Sequence, residues 1–299
     1  MRGPFTCSCL RRHLSGTVHS DATDVSSRNR PGVAPARYQP GVTQVIVSTP
    51  ETAARRYSLL LTTDDGDVAA AQALRHRVFA DELGARLDSA VPGRDVDRFD
   101  AHCDHLVVRE DATGEIVGTY RMLPPQRARA AGGLYADGEF DLTALDPLRS
   151  GIVETGRSCV HPDHRGGAVV GLAWAGLARY MLLTGHRWLI GCASVSLADG
   201  GAQAAGVWDR VRAKHLAPEG YRTVPLRPWD PTDVPRGRGV AVPPLMRGYL
   251  RLGTWVCGPP AHDPDFGVAD FPVLLGMDHI DQRYLRFFLG EDAAGVTGA

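Results

Sequence analysis

The chain has 299 residues, with 33 lysines and arginines against 34 aspartates and glutamates, a formal net charge of −1. That length supports one large domain or two small ones, and the balanced charge excludes a general attraction to nucleic acid or to an anionic membrane. The six cysteines are scattered through a chain long enough to need no staples, which predicts free thiols in a reducing, cytoplasmic compartment.

The basic residues are almost all arginine, with Lys214 the single lysine; GC-rich codon usage accounts for this, and it marks no site. The opening of the chain carries Arg11-Arg12 and the polar run Ser26 to Pro31, with little periodic apolar pattern and no sustained apolar stretch. Residues 1–52 therefore read as a disordered basic leader, 53–290 as the folded domain and 291–299 as a flexible tail. Tyr57 to Leu61 predicts a first strand. Asp67 to Leu83 predicts an amphipathic helix, with acids before its start to suit the helix dipole and Gly84 to end it. Residues 85–100 are polar and aspartate-rich, a loop.

His105 to Arg109 and Glu115 to Met122 predict a hairpin about the turn 111–114. The segment 124–148 reads as a long irregular connection. Ile152 to Val160 predicts a strand and Val169 to Leu183 a helix. That helix is apolar enough to suggest a membrane span, but its Gly/Ala content and borderline length favour a core helix. Trp188 to Val195 predicts a strand and Ala202 to His215 a helix. Residues 225–244 read as a loop, Pro244 to Leu252 as a short helix, Thr254 to Cys257 as the last strand, and Ile280 to Leu289 as a C-terminal helix. Strands and helices alternate without an internal repeat, which predicts a three-layer α/β domain.

The stretch Gly151-Ile-Val-Glu154-Thr-Gly156-Arg157-Ser158-Cys159-Val160-His-Pro162 carries most of the chemical information, together with Asp163-His-Arg165-Gly166-Gly167 after it. It combines a strand bearing an acid and a base, a glycine-rich turn and a helix start, whose backbone amides form an anion cradle. That suits acyl transfer from a phosphopantetheine thioester to an amine. An amine with a pKa of about 8 or above is mostly protonated at neutral pH, so a base is needed. Glu154 is the candidate, direct or through water; the competing view is that it pairs with Arg157 or Arg121 and only braces the strand. Backbone amides near Cys159 and Val160 can take the oxyanion. On a regular strand Glu154 and Arg157 face opposite ways, so sharing a site demands a bulge or twist, which Gly156 permits. Cys159 reads as a small buried hydrophobe rather than a nucleophile. His102-Cys103-Asp104-His105 lacks zinc-like spacing, and no metal is expected.

Several further motifs carry a family resemblance. They are Leu74 to Gly84, Asp97-Arg98-Phe99-Asp100, Cys103 to Val108, Gly118 to Leu123, Glu154 to Val160, Trp188 to Ser194 and Asp263 to Phe271. In this order and spacing the chain resembles the ornithine–acyl carrier protein N-acyltransferases of the GNAT superfamily and, more distantly, the acyl-homoserine lactone synthases, from about Tyr57 to Phe288. The resemblance implies a GNAT-like α/β fold, a mixed central sheet with helices on both faces. It implies an enzyme moving a long, 3-hydroxylated acyl group from acyl carrier protein to the α-amine of ornithine or a similar amino acid, in lyso-ornithine lipid synthesis, with peripheral contact at the inner membrane face and no permanently bound cofactor. Position by position, it implies that Glu154 and Arg157 are catalytic. Arg75, Phe79, Asp97, Asp100 and Arg121 would bind substrate, the aspartates holding the cationic acceptor. Ser158, Cys159, Val160, Arg165, Gly166 and Gly167 would bind the acyl-phosphopantetheine donor. Ala85 stands where the lactone synthases carry tryptophan, and Ala168 and Val170 depart from the coenzyme A loop of acetyl-transferring enzymes. Two alternatives stay open: an acetyl-CoA-dependent amine acetyltransferase, and a non-catalytic module that binds acyl carrier protein or lipid.

Overall fold

A computed structural model describes residues 41–236, 241–280 and 283. The chain runs β1 (Gln44–Ser48), β2 (Tyr57–Thr62), α1 (Asp65–His76), β3 (Asp104–Glu110), β4 (Ile116–Leu123), α2 (Pro125–Ala130), β5 (Phe140–Asp141) and β6 (Ile152–Val160). It continues with α3 (Ala168–Thr184), β7 (Trp188–Ser196), α4 (Ala202–Lys214), β8 (Val224–Pro225), α5 (Pro244–Arg251), β9 (Trp255–Val256), β10 (Ala261–Asp263) and β11 (Val268–Gly276). The main sheet has the order β1-β2-β3-β4-β6-β7-β11-β10, with β9 also on β11. Its pairings are antiparallel except for β6 with β7, so the sheet is mixed as expected.

Side-chain alternation assigns the two faces. Tyr120, Met122 and Val153 pack with Leu172, Leu177 and Met181 of α3, and Ala193 and Val195 continue that face under Val207 and Val211 of α4. On the opposite face Leu60, Val107 and Cys159 meet Ala71, Leu74 and Val78 of the α1 region, while Leu123, Ile190 and Leu274 lie under Ala128, Leu134 and Phe140. The Asp64 carboxylate starts α1 by accepting from Gly66 N (2.9 Å) and Asp67 N (3.1 Å), two of the donors a helix start leaves unpaired. The helix expected to run to Leu83 instead loosens into a π-helical turn at Arg77–Glu82.

Three sequence expectations need correction. Gln44–Ser48 falls in the span read as leader, yet it forms the edge strand β1 against β2, so the folded part begins before residue 53. Thr254–Cys257 is not the last strand: β10 and the nine-residue β11 follow it. Pro272 hid β11, because proline lacks the N–H that a central strand needs. In an antiparallel ladder the N and O of one residue point to the same side. The Pro272 carbonyl accepts from Cys257 N at 2.7 Å, so its ring nitrogen faces the junction where β11 changes partner from β10 to β9. The connection 124–148 is also less irregular than read, holding α2 and the strand β5, which pairs with β8. The C-terminal helix expected from Ile280 lies largely outside the described residues. Among the described residues no helix is long and apolar enough to cross a membrane.

Candidate active site

β6 and β7 are both nine residues long, but their parallel pairing covers only Ile152 to Glu154 against Trp188 to Ile190. Beyond that point they part. Gly191 sits at the fork, where a Cβ would lie 2.7 Å from the Thr155 carbonyl oxygen; the close approach is open only to glycine. On the α3 face the parting leaves a narrow apolar cavity of about 30 Å³, lined by Thr155, Trp174, Leu177, Ala178, Tyr249 and Leu275 among others.

Opposite β4, the register of β6 slips between Thr119 and Arg121, and Arg157 takes φ = +52°, unfavourable for a side chain with a Cβ. This is the bulge that the sequence demanded. It turns Arg157 toward the α1 face, where Nε lies 3.1 Å from Asp95 Oδ2 and Nη2 3.4 Å from Asp97 Oδ2. The guanidinium also lies 5.1 Å from the ring centroids of both Tyr135 and Phe266, a favourable cation–π setting.

Glu154 lies on the same face but does not pair with Arg157. Its Oε2 accepts from Tyr135 N (2.6 Å) and Oε1 from Ala136 N (2.8 Å). Nor does it touch the apolar cavity, which takes its lining from the next residue, Thr155. Burial pushes the Glu154 carboxyl up to about 7, against the opposing pull of the two amides and of Arg121. Each oxygen keeps a second lone pair, so the group braces the 134–137 turn and still has the proton affinity of a base working near neutral pH.

Arg75 is fully buried. Its Nε lies 2.9 Å from Asp95 Oδ2, and it donates to Asp100 through Nη1 (2.9 Å) and Nη2 (2.7 Å). Arg121 donates through Nη1 to Asp97 (2.6 Å) and Asp100 (3.2 Å). These arginines hold Asp97 and Asp100 below the usual carboxylate range despite their burial. The predicted residues are thus gathered into one network, but Arg75 and Asp100 spend their hydrogen-bonding capacity inside it. Phe79 stacks edge-on against Phe266 at 5.7 Å.

Of the predicted donor-binding residues, Ser158 sits beside the Tyr120 hydroxyl, and the Cys159 thiol is buried and pushed up to about 12. The Val160 carbonyl accepts from Arg165 Nε at 3.1 Å. Arg165 also grips Glu82 bidentately at 2.6 and 2.7 Å, so it locks the turn to the end of the α1 region. Gly167 opens α3 at φ = +99° with no side-chain cap, and Gly166 beside it is exposed, leaving the helix-start amides open to an anion.

Sequence reasoning missed Asp95, taken as part of a solvated loop. Its neighbours are two aspartates of equal sequence weight, and only the fold shows that Asp95 lies 3% exposed between two arginines. It also missed Tyr135, Glu139, Asp263 and Asp270. The last three bring carboxylate oxygens within 4.8 Å of one another; Asp263 and Asp270 fall inside a motif of the family resemblance, but Glu139 lies in a remote segment and nothing local ties it to them.

An open fork between two parallel strands, a bulged strand bearing a buried acid, and an uncapped helix start define an acyltransferase of the GNAT class, and residues 74–175 match the Acetyltransferase (GNAT) domain family. The chain is 36% identical to the L-ornithine N(alpha)-acyltransferase of Brucella abortus over 75% of this chain and 85% of that protein. It is 34% identical to the enzyme of the same name from Rhodobacter capsulatus over 78% and 94%. The chain belongs to this L-ornithine N(alpha)-acyltransferase family. Among solved structures it is similar to the acyl-homoserine lactone synthase BjaI (17% identity, 75% and 81% covered, TM-score 0.45). It is also similar to FeeM, an N-acyl amino acid synthase from uncultured soil microbes (14%, 75% and 92%, TM-score 0.45).

Proposed function

We propose that the protein transfers a long, 3-hydroxylated acyl group from acyl carrier protein to the α-amine of ornithine, forming a lyso-ornithine lipid, in peripheral contact with the inner membrane face. The observation that carries this reading is the fork at Gly191. There β6 and β7 stop pairing, with an apolar cavity on the α3 face and a charged, buried cluster on the α1 face, the two kinds of surroundings that a donor with a greasy tail and an acceptor with ionic groups require.

The donor arm lies along the open edge of β6 beyond Glu154, with its phosphate at the uncapped start of α3 near Gly166 and Gly167 and its acyl tail entering at the apolar cavity, which has to widen to take it. The acceptor nitrogen gives up a proton to Glu154, directly or through a water. It attacks the thioester carbonyl carbon, and the carbonyl oxygen takes up negative charge beside the amides near Cys159 and Val160. Collapse forms the amide and expels the pantetheine sulfur, which leaves as the thiol with one proton. Arg121 and Arg157 face the acceptor carboxylate.

The test is acyl transfer by purified protein, read by mass spectrometry, with 3-hydroxyacyl and plain acyl carrier protein of several lengths and with acetyl-CoA. N-acylornithine from the long acyl carrier protein donor is the expected product. Faster transfer from acetyl-CoA would establish the acetyltransferase alternative, and tight donor binding without transfer to any amino acid would establish the binding module.

A further inference from the structure

Glu139, Asp263 and Asp270 are 7%, 7% and 3% exposed. Three buried carboxylates within 4.8 Å of one another repel one another and lose their hydration. Among the described residues no arginine or histidine forms an ion pair with any of them. Asp263 Oδ1 is satisfied by the amides of Asp265 (2.9 Å) and Phe266 (3.1 Å). In contrast, Glu139 Oε2 and Asp270 Oδ1 are buried with no hydrogen-bond partner. Burial and mutual repulsion raise both carboxyls, so the cluster holds protons that an incoming cation would displace, and these two oxygens find no donor on the rest of the protein.

The cluster adjoins the candidate active site. Glu154 lies opposite Ile190, and Asp270 opposite Ser194; Ile190, Cys192 and Ser194 alternate onto one face of β7. Cys192 stands between, its thiol raised first by burial and then by Glu139, Asp270 and Glu154. Tyr135 links the two regions, its backbone N–H on Glu154 and its hydroxyl against Glu139. Phe266, whose amide caps Asp263, packs under the Arg157 guanidinium.

We propose that Glu139, Asp263 and Asp270 receive the side-chain ammonium of a diamino acid acceptor, and so select ornithine over neutral amino acids. This rests on the acyl-transfer reading above. An alkylammonium presents three N–H donors from one nitrogen, and three convergent carboxylates with two open oxygens match that geometry. A zinc ion would draw on nitrogen or sulfur ligands, and calcium takes six to eight oxygens.

The experiment compares wild type, Asp270→Asn and Glu139→Gln with ornithine and with norvaline, which has the same carbon chain without the distal amine. Steady-state kinetics use one long acyl carrier protein donor, and calorimetry measures acceptor binding without turnover. The expected result is a fall of about tenfold or more in the ornithine-to-norvaline ratio of kcat/KM for each variant, carried by the ornithine KM, as loss of a charge-assisted contact requires. Calorimetry should show the matching loss of ornithine affinity. An unchanged ratio, with both acceptors slowed alike, overturns the assignment. So does a rise in melting temperature with Mg²⁺, Mn²⁺, Ca²⁺ or Zn²⁺ that vanishes in Asp270→Asn, which would make the cluster a metal site. Wild type that binds ornithine but transfers no acyl group would refute the function and leave this site standing. Circular dichroism confirms folding, and the second variant guards against loss of the first.

Discussion

Asp95 Oδ2 is shared by two arginines, with Arg75 Nε at 2.9 Å and Arg157 Nε at 3.1 Å. One carboxylate therefore ties the buried face of α1 to the bulge of β6, and through it fixes the left-handed backbone of Arg157. Removing the acid leaves two guanidinium groups facing each other in a buried setting. Asp95→Ala is expected to lose about 3–5 kcal/mol of stability, the range for breaking a buried ion pair from one side. Denaturant unfolding measures it; a loss under 1 kcal/mol would show that Asp97 and Asp100 suffice.

Glu154 carries a pH signature. Burial lifts its folded-state pKa from 4.5 to about 7, and burial and mutual repulsion also raise Glu139 and Asp270. Raised carboxyls hold protons that the unfolded chain has already released, so their stabilising effect is full at low pH and lost as pH climbs. For Glu154 alone this loss between pH 4.5 and 7 is on the order of 3 kcal/mol. Asp97, Asp100 and Glu82, held low by their arginines, act in reverse and lose their contribution below the ordinary carboxylate range. Stability should peak near pH 5 and decline toward pH 8, with a flatter decline in Glu154→Gln. In the same variant the acid limb of kcat/KM, with an apparent pKa near 7, should disappear along with most of the turnover. An unchanged pH–rate profile would leave Glu154 only its role under the 134–137 turn.

Gly191→Ala places a Cβ against the Thr155 carbonyl, a backbone atom that cannot swing aside. The strands must spread at the fork, at a cost of about 1–3 kcal/mol. Transfer of long acyl groups should fall by at least an order of magnitude, as expected when reacting atoms are displaced by about 1 Å. Unaltered kinetics with a folded protein would remove the fork from the reaction path.

Ala178 lines the apolar cavity from α3. Ala178→Leu fills space in the proposed tail channel, and the preferred donor should shorten while the ornithine KM stays the same. A set of acyl carrier protein donors graded by chain length reads this directly. Uniform loss across all lengths would indicate damage to the core.

Cys159→Ala should retain near-normal turnover and become no more resistant to thiol reagents. The thiol lies against α1, with a pKa pushed up to about 12, so almost none of it is thiolate at neutral pH. Abolished transfer in a folded Cys159→Ala protein would revive a covalent intermediate.

The repeating elements were legible because their periodicity is local. The β6 strand from Ile152 to Val160 coincides with its expected span, and α3, β7 and α4 shift by no more than one residue at either end. The bulge was legible too, since Glu154 and Arg157 could not share a face without one. Charge partnerships were not. Asp95, Asp97 and Asp100 look alike in the chain, and which of them lies between Arg75 and Arg157 depends on how the loop folds over α1. Glu154 was singled out, but its engagement by Tyr135 and Ala136 amides depends on a segment that carries no pattern. β11 was lost to Pro272, and the Glu139, Asp263 and Asp270 cluster exists only once the 139 turn meets the β10–β11 hairpin.

The proposed reaction sets a tail on the α3 side of the sheet and an ionic head on the α1 side, and β6 and β7 stop pairing between the two, beyond Glu154 and Ile190. Gly191 lies hard against the Thr155 carbonyl there, so an acyl chain crossing at that point has to push the strands further apart. In the proposed reaction the donor therefore works as a wedge, and a branch on the carbon next to the carbonyl should slow transfer more than added chain length does.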